Sequence, residues 1–181
     1  MAQLFVISAP SGTGKTSLIH KVLEEKLASK TKLGVSCTTR EKRKNEEEGI
    51  AYFFLDIDTF NKKLDEGNFL EHATVFGNLY GTPKDWVLST ISQGFDVVLE
   101  LDVQGAIQVK NAYPDTKTIF IIPPSYKDLE KRLVNRDQDS QETIEKRLSE
   151  AKQEVLSGKD FDCSIVFPQD IPCLLYTSDA A

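Results

Sequence analysis

The stretch Leu4-Phe5-Val6-Ile7-Ser8-Ala9-Pro10-Ser11-Gly12-Thr13-Gly14-Lys15-Thr16-Ser17 decides the fold. Its first four residues are apolar strand formers, and the run breaks at a segment rich in Gly, Ser, Thr and Pro. Beyond it Leu18, Ile19, Val22, Leu23 and Leu27 recur at helical spacing. The reading is strand, glycine loop, helix. Ala9 to Thr16 then fits GxxxxGK[ST] with alanine in place of the first glycine. Such a loop lets backbone N–H groups converge on phosphate oxygens at a helix N-terminus, where the peptide dipoles already favour an anion. Lys15 is expected against the terminal phosphates of a nucleoside triphosphate, and Thr16 is expected to hold Mg²⁺. The loop residues Ala9, Pro10, Ser11, Gly12, Thr13, Gly14, Lys15, Thr16 and Ser17 are therefore the candidate nucleoside-triphosphate-binding set.

Outward from this loop, Asp96 to Asp102 and Thr118 to Ile122 read as buried strands with a helix from Val103 to about Asn111 between them. Strands alternating with helices imply a parallel sheet covered on both faces. The segment from about Ser36 to Gly94 has a different texture. Tyr52-Phe53-Phe54-Leu55 and Phe69 to Phe76 look like strands around a helix starting near Asp58, Gly77-Asn78 offers a tight turn, and Thr82-Pro83 offers an N-cap followed by proline at the first helical position. This reads as an inserted α/β lobe. After Pro123-Pro124, a helix carrying Leu129 and Leu133 precedes the polar stretch Asn135 to Ser140. A second helix is expected from Asp139 as N-cap with Glu142 three residues on. Cys163 to Phe167 reads as a last strand.

The whole chain of 181 residues is long enough to bury a core, and its 22 Lys plus Arg against 28 Asp plus Glu give a net charge of −6. That balance argues against a surface built for a nucleic-acid polymer or for anionic lipid, both of which need a basic excess. Met1 to Ser8 lacks a basic segment followed by a long apolar one, and no apolar run approaches the roughly 20 residues needed to span a bilayer. The expected location is the cytoplasm. Cys37, Cys163 and Cys173 form no close pair, which fits small thiols in a reducing compartment, and His20 and His72 are too few for a His-rich metal site.

A triphosphate site does not name a reaction. Switch GTPases need Asn-Lys-x-Asp, and Asn61-Lys62-Lys63-Leu64 fails that pattern at its last position. Ser36-Cys37-Thr38-Thr39-Arg40, Arg43, Tyr52-Phe53-Phe54, Phe69-Leu70-Glu71-His72-Ala73, Phe76-Gly77-Asn78, Tyr80-Gly81-Thr82 and Asp102-Val103-Gln104-Gly105 follow one another as they do in guanylate kinases. From Leu4 to about Val166 the chain resembles that family. The resemblance implies an α/β fold: a three-layer P-loop NTPase core with a parallel sheet, an inserted GMP-binding α/β lobe and a short helical lid. It implies one guanylate kinase-like domain over residues 1–170, with core about 1–35, 95–124 and 157–168, lobe about 36–94 and lid about 125–156.

The resemblance also implies roles, residue by residue. Ser36, Arg40, Arg43, Tyr52 and Tyr80 match the residues that bind the GMP phosphate, and two guanidinium forks with three hydroxyls suit its oxygens. Taken alone, the basic run from Arg40 to Lys44 would read as a solvated face. Glu71 matches the glutamate that accepts guanine N1–H and the N2 amino group, an arrangement that would repel the N1 acceptor of adenine. Thr82 and Ser36 would face guanine O6, Asp102 the amino group, and Gly105 completes the GMP-binding set. Lys15, Arg43, Arg132, Arg136 and Arg147 match the residues that surround the transferring phosphoryl group. Taken alone, Arg132 and Arg136 would suit surface ion pairing at i,i+4. The implied metal is Mg²⁺ with ATP, held by Thr16 largely through water and by Glu100, which stands where the family usually has aspartate. Two further departures are Asp137 in place of a glycine and Leu79 in place of a frequent tyrosine.

At the end of the chain Ile165-Val166-Phe167-Pro168 stands for the family's Ile-Val-Asn-Asp, and 171–181 reads as an unrelated tail, a truncation or a fusion scar. The implied activity is phosphorylation of GMP, with dGMP as a further acceptor, by ATP. The alternatives are a non-catalytic guanylate kinase-like module that binds phosphorylated partners and a truncated, inactive kinase; the intact Gly14, Lys15, Thr16 and arginines argue against the module.

Overall fold

In the computed structural model of the chain, residues 2–24, 29–44, 46–75, 77–134 and 141–166 are described. The quoted stretch folds as read. Strand β1 (Leu4–Ser8) runs into the loop, and helix α1 (Lys15–Glu24) leaves it. Then come β2 (Thr31–Leu33), β3 (Cys37–Thr38), β4 (Phe53–Phe54), α2 (Ile57–Asp65), β5 (Phe69–Val75), β6 (Asn78–Pro83) and α3 (Lys84–Ser92). The chain returns through β7 (Asp96–Glu100), α4 (Val103–Ala112) and β8 (Lys117–Ile122). It ends its described part with α5 (Tyr126–Val134), α6 (Gln141–Ser157), a 3₁₀ turn (Gly158–Asp160) and β9 (Cys163–Val166).

Among the described residues, β2, β7, β1, β8 and β9 form a parallel sheet in that order. Its register places Leu4 beside Val97 and Val6 beside Leu99. These four are buried on one face and pack with Ala106 and Val109 of α4 and Val87 of α3. Parallel strands need crossovers, and the apolar sides of these helices supply the cover that such a sheet requires. The α/β core with a parallel sheet is thus present as expected.

A second sheet has the order β4-β3-β6-β5, with β3 antiparallel to β6 and β5 antiparallel to β6. Helix α2 begins at Asp56, whose side chain accepts the Thr59 N–H at 2.7 Å, and its buried Phe60 stacks on Phe69 at 4.6 Å between ring centroids. The expected strand at Tyr52–Leu55 is shorter, because Tyr52 makes only an isolated bridge with Glu48.

Thr82 and Pro83 depart from expectation. Thr82 is not a helix cap: it lies within β6, and its hydroxyl serves a residue across the sheet. Pro83 takes the N-cap position of α3 (φ −67°, ψ 117°) without a side-chain cap bond, so α3 starts one residue later than read. Proline fixes φ but supplies no capping oxygen, and the threonine hydroxyl finds a stronger, charged acceptor.

The two sheets meet where α4 packs beside β5. The Gln108 side chain accepts the His72 backbone N–H at 3.1 Å and donates to the His72 carbonyl at 3.2 Å, as a neighbouring strand would. The glycine loop follows the C-terminal end of β1 and Asp102 that of β7, so both stand at the strand ends where ligands usually bind in open α/β sheets.

Candidate active site

The loop wraps the start of α1. Gly12 and Gly14 sit at φ +86° and +93°, and Thr13 N–H donates to the Pro10 carbonyl at 3.1 Å. Gly12 has a second reason to lack a side chain: a Cβ there would stand 2.7 Å from Leu133 Cδ2 and 3.3 Å from Leu129 Cδ1. Helix α5 thus lies directly on the loop. Arg132 pins it there, donating from Nη1 to the Thr13 carbonyl at 2.5 Å.

Lys15 reaches across to the end of β7. Its ammonium donates to the Leu101 carbonyl at 2.7 Å and lies 4.0 Å from Glu100 Oε1. Burial pulls its pKa down, against the opposing pull of Glu100, Asp102 and Glu154. Thr16 donates its hydroxyl to Glu100 Oε1 at 2.5 Å, so the extra methylene of Glu100 brings the carboxylate onto the loop. Ser8 Oγ and Thr13 Oγ1 are buried without a hydrogen-bond partner. Ala9 and Pro10 are buried, Ser11 is exposed, and Ser17 is half-buried in the first turn of α1.

Glu71 is 5% exposed, which is exceptional for a carboxylate. In β5 the consecutive residues Leu70 and Glu71 are both buried, which strict strand alternation forbids. The register against β6 shifts between Phe69 and His72, and such a bulge re-aims a side chain. Burial raises the Glu71 pKa; the Thr82 hydroxyl, donating to Oε1 at 2.7 Å, works the other way. Gly105 backs this carboxylate, since a Cβ on it would lie 3.4 Å from Glu71 Oε2 and 3.3 Å from Asp102 Oδ1. Asp102 caps α4, accepting the Gly105 N–H at 2.7 Å. Glu71, Thr82, Asp102 and Gly105 therefore form one cluster at the junction of the two sheets.

Arg40, Tyr52 and Tyr80 form a second cluster on the second sheet. The Arg40 guanidinium stands 5.4 Å from the Tyr52 ring centroid, and the Tyr52 and Tyr80 rings meet edge-on at 5.9 Å. Burial raises the Tyr52 pKa, helped by Tyr80. The basic run is therefore not a uniformly solvated face: Arg40 is half-buried, whereas Arg43 is exposed. Ser36 sits half-buried before β3, its carbonyl accepting the Phe53 N–H at 2.9 Å.

Arg147 is half-buried on α6. Arg136, Asp137, the expected cap Asp139 and residues 167–181 lie outside the described residues. Cys37 is buried, and burial pushes its thiol up to about 11, which favours the protonated thiol at neutral pH.

Two residues near these clusters escaped the sequence reading. Glu46 bonds Arg40 at 2.6 Å, and Glu154 is half-buried on α6 with its pKa raised by burial and by Asp102. Neither is among the motif residues quoted above. No described helix is long and apolar enough to cross a membrane.

Against known proteins, the guanylate kinase family model matches residues 1–170. The guanylate kinase of Hahella chejuensis is 49% identical over 169 residues, 93% of this chain and 79% of that protein. That of Coxiella burnetii is 45% identical over 99% of this chain and 87% of its own length. The crystal structure of guanylate kinase from Anaplasma phagocytophilum superposes with a TM-score of 0.69 at 32% identity, covering 91% of this chain and 76% of that one. A family match over nearly the whole chain, with relatives at 45–49% identity, settles the assignment: the chain belongs to the guanylate kinase family.

Proposed function

We propose that this chain transfers the γ-phosphoryl group of ATP to GMP, giving ADP and GDP. The observation that carries the reading is the buried Glu71, whose Oε1 accepts from the Thr82 hydroxyl beside Asp102 and Gly105 at the start of α4. Guanine presents N1–H and an N2 amino group side by side, and one carboxylate accepts both. Adenine presents an acceptor at N1, and a buried carboxylate facing it would leave two polar groups unpaired, which supports discrimination on the order of 10⁴.

The remaining roles follow from position. Residues 36–94 form the GMP lobe in this proposal, with Ser36, Arg40, Arg43, Tyr52 and Tyr80 receiving the phosphate and Thr82, Asp102 and Gly105 joining Glu71 around the base. The loop 9–17 cradles ATP. Lys15 gives its ammonium to the transferring group, leaving the Leu101 carbonyl on which it rests. Arg132, with Arg136 and Arg147, belongs to the lid of about 125–156, and its contact with Thr13 puts a guanidinium at the loop before any substrate arrives.

In the transfer, an oxygen of the GMP phosphate bonds to Pγ while the bond from Pγ to the ADP oxygen breaks. The nucleophile is already an anion, so the protein supplies positioning and positive charge and needs no general base. Lid closure over both nucleotides excludes water and suppresses hydrolysis.

Mg²⁺ accompanies ATP in this reading and supplies charge neutralisation on the triphosphate. Thr16 Oγ1 and Glu100, 2.5 Å apart, are hard oxygen donors of the kind Mg²⁺ keeps beside phosphates and water, so the residues fit the ion. The proposed place of action is the cytoplasm.

The test is ADP release coupled to a detecting enzyme, with ATP and Mg²⁺ and GMP, dGMP, AMP, CMP or UMP as acceptor. Release that requires a guanine acceptor is expected; equal release with AMP would overturn the base assignment.

A further inference from the structure

Glu46 ties together the two arginines of the proposed phosphate site. Its Oε1 accepts from Arg40 Nη2 at 2.6 Å, and its Oε2 accepts the backbone N–H of Arg43 at 2.9 Å. Both members of the ion pair are well covered, with side chains 16% and 15% exposed. Arg40 is held from other sides as well. Its Nη1 donates to the Glu41 carbonyl at 2.9 Å, its backbone N–H to Thr38 Oγ1 at 3.1 Å, and its guanidinium lies over the rings of Tyr52 and Phe54. The Glu46 carboxylate pulls the Arg40 pKa up further and has its own pKa held down in return, first by Arg40 and then by the Arg43 N–H.

A carboxylate so close to a phosphate-binding arginine has two opposite consequences. It competes with the incoming phosphate for the guanidinium, or it fixes the guanidinium in advance and spares the ligand that cost. The geometry favours the second. A guanidinium carries five donors in a planar fork, and Glu46 with the Glu41 carbonyl engages only part of it. The second oxygen of Glu46 is spent on the chain at Arg43, so one side chain sets the orientation of Arg40 and the path of the backbone that carries Arg43. A bare competitor would need no such second anchor.

We propose that Glu46 is a positioning residue for the acceptor phosphate, acting through Arg40 and the Arg43 backbone. This rests on the reading of Arg40 and Arg43 as the residues that receive the GMP phosphate.

The test is steady-state kinetics of Glu46→Gln, whose amide keeps one acceptor and offers the Arg43 N–H a donor where it had an acceptor. Expected is a rise in KM for GMP of about tenfold, the scale of one charge-assisted hydrogen bond. The KM for ATP and the kcat at saturating GMP should hold. Inorganic phosphate, used as an inhibitor competitive with GMP, should weaken in parallel, because the defect lies at the phosphate and not the base. Glu46→Asp, which keeps the charge but shortens the reach, should fall between the two and serves as the reading if the amide variant does not fold. A KM for GMP that is unchanged or lower in these variants would overturn the proposal and mark Glu46 as idle or a competitor. Arg40→Ala separates the two levels of the argument. If it leaves KM for GMP unchanged, the phosphate-site reading fails; if it raises KM while the Glu46 variants do not, only the positioning role fails.

Discussion

The Thr82 hydroxyl donates to Glu71 Oε1 at 2.7 Å across the bulge between β5 and β6. The bond opposes the effect of burial, which raises the Glu71 pKa, and so keeps the carboxylate ionised to lower pH.

On the proposed base contact, Thr82→Val should lower kcat/KM for GMP about ten- to a hundredfold, since a hydrogen bond to a charged group contributes about 1.5 to 3 kcal/mol. Its pH dependence carries a sign. Guanine needs the ionised carboxylate, and removal of the hydroxyl raises the pKa further, so recognition should fail at higher pH in the variant. Comparing GMP with IMP, which lacks the amino group but shares the phosphate, cancels titration of the phosphate. The GMP to IMP preference should fall as pH falls, with a midpoint displaced upward in Thr82→Val. A midpoint that does not move would detach Thr82 from Glu71.

A second titratable carboxylate holds the fold and not the site. Asp162 Oδ2 accepts the Thr118 N–H at 2.8 Å, the Thr118 hydroxyl at 3.0 Å and Lys110 Nζ at 3.0 Å, fastening the approach to β9 against β8. The Thr118 N–H first, and Lys110 next, pull its pKa down to about 2 from 3.8. With the folded pKa depressed, this stabilisation is present above the unfolded value and is lost as pH falls toward 2. The side chain is 43% exposed, so solvent screening reduces the effect of Asp162→Asn to about 1 kcal/mol. At neutral pH that is a fall in Tm of about 2 to 4 °C. In thermal melts the gap between the two proteins should close between pH 4 and 2.

How far the sequence could be read divides along local and non-local physics. The strand, loop and helix at Leu4 to Glu24 were legible because glycine spacing and apolar periodicity are local signals. The strands β2 and β3, of three and two residues, carry no such pattern; they exist because β7 and β6 offer them open edges. Thr82 was misread as a cap because Thr-Pro before an apolar period is a sound local signal, and the competing acceptor, Glu71, lies eleven residues away. Burial of both Leu70 and Glu71 depends on a register shift, which alternation cannot foresee. The proposed roles of Arg40 and Glu71 rest on a resemblance carried by ordered motifs, whereas the ion pair between Glu46 and Arg40 needed coordinates.

The contact between the loop and α5 gives a third prediction. Gly12→Ala would place a methyl group 2.7 Å from Leu133 Cδ2 at a backbone position of φ +86°. The strain costs about 1 to 3 kcal/mol. Relief requires α5 to back away, and Arg132 would then leave the Thr13 carbonyl. KM for ATP should rise while KM for GMP stays near its original value, because Glu71 and Arg40 lie on the other sheet. Equal increases for both nucleotides would show that the damage is global and the contact merely structural.

Lys15→Met tests the loop itself. The ammonium is drawn into the protein against its own desolvation, and three carboxylates, Glu100, Asp102 and Glu154, partly offset that cost. A lysine whose folded pKa is depressed destabilises the fold at every pH below it, so methionine of similar length removes a cost while leaving the Leu101 carbonyl without this donor. These effects oppose each other, and Tm should change little. Turnover has no such compensation. On the proposed role, the positive charge that meets the developing negative charge of the transition state is gone, and removal of one such donor lowers kcat on the order of 10²- to 10³-fold. GMP binding, measured by calorimetry without ATP, should persist. A variant that melts like the parent, binds GMP and turns over at the parental rate would remove Lys15 from catalysis and leave its burial to a structural role.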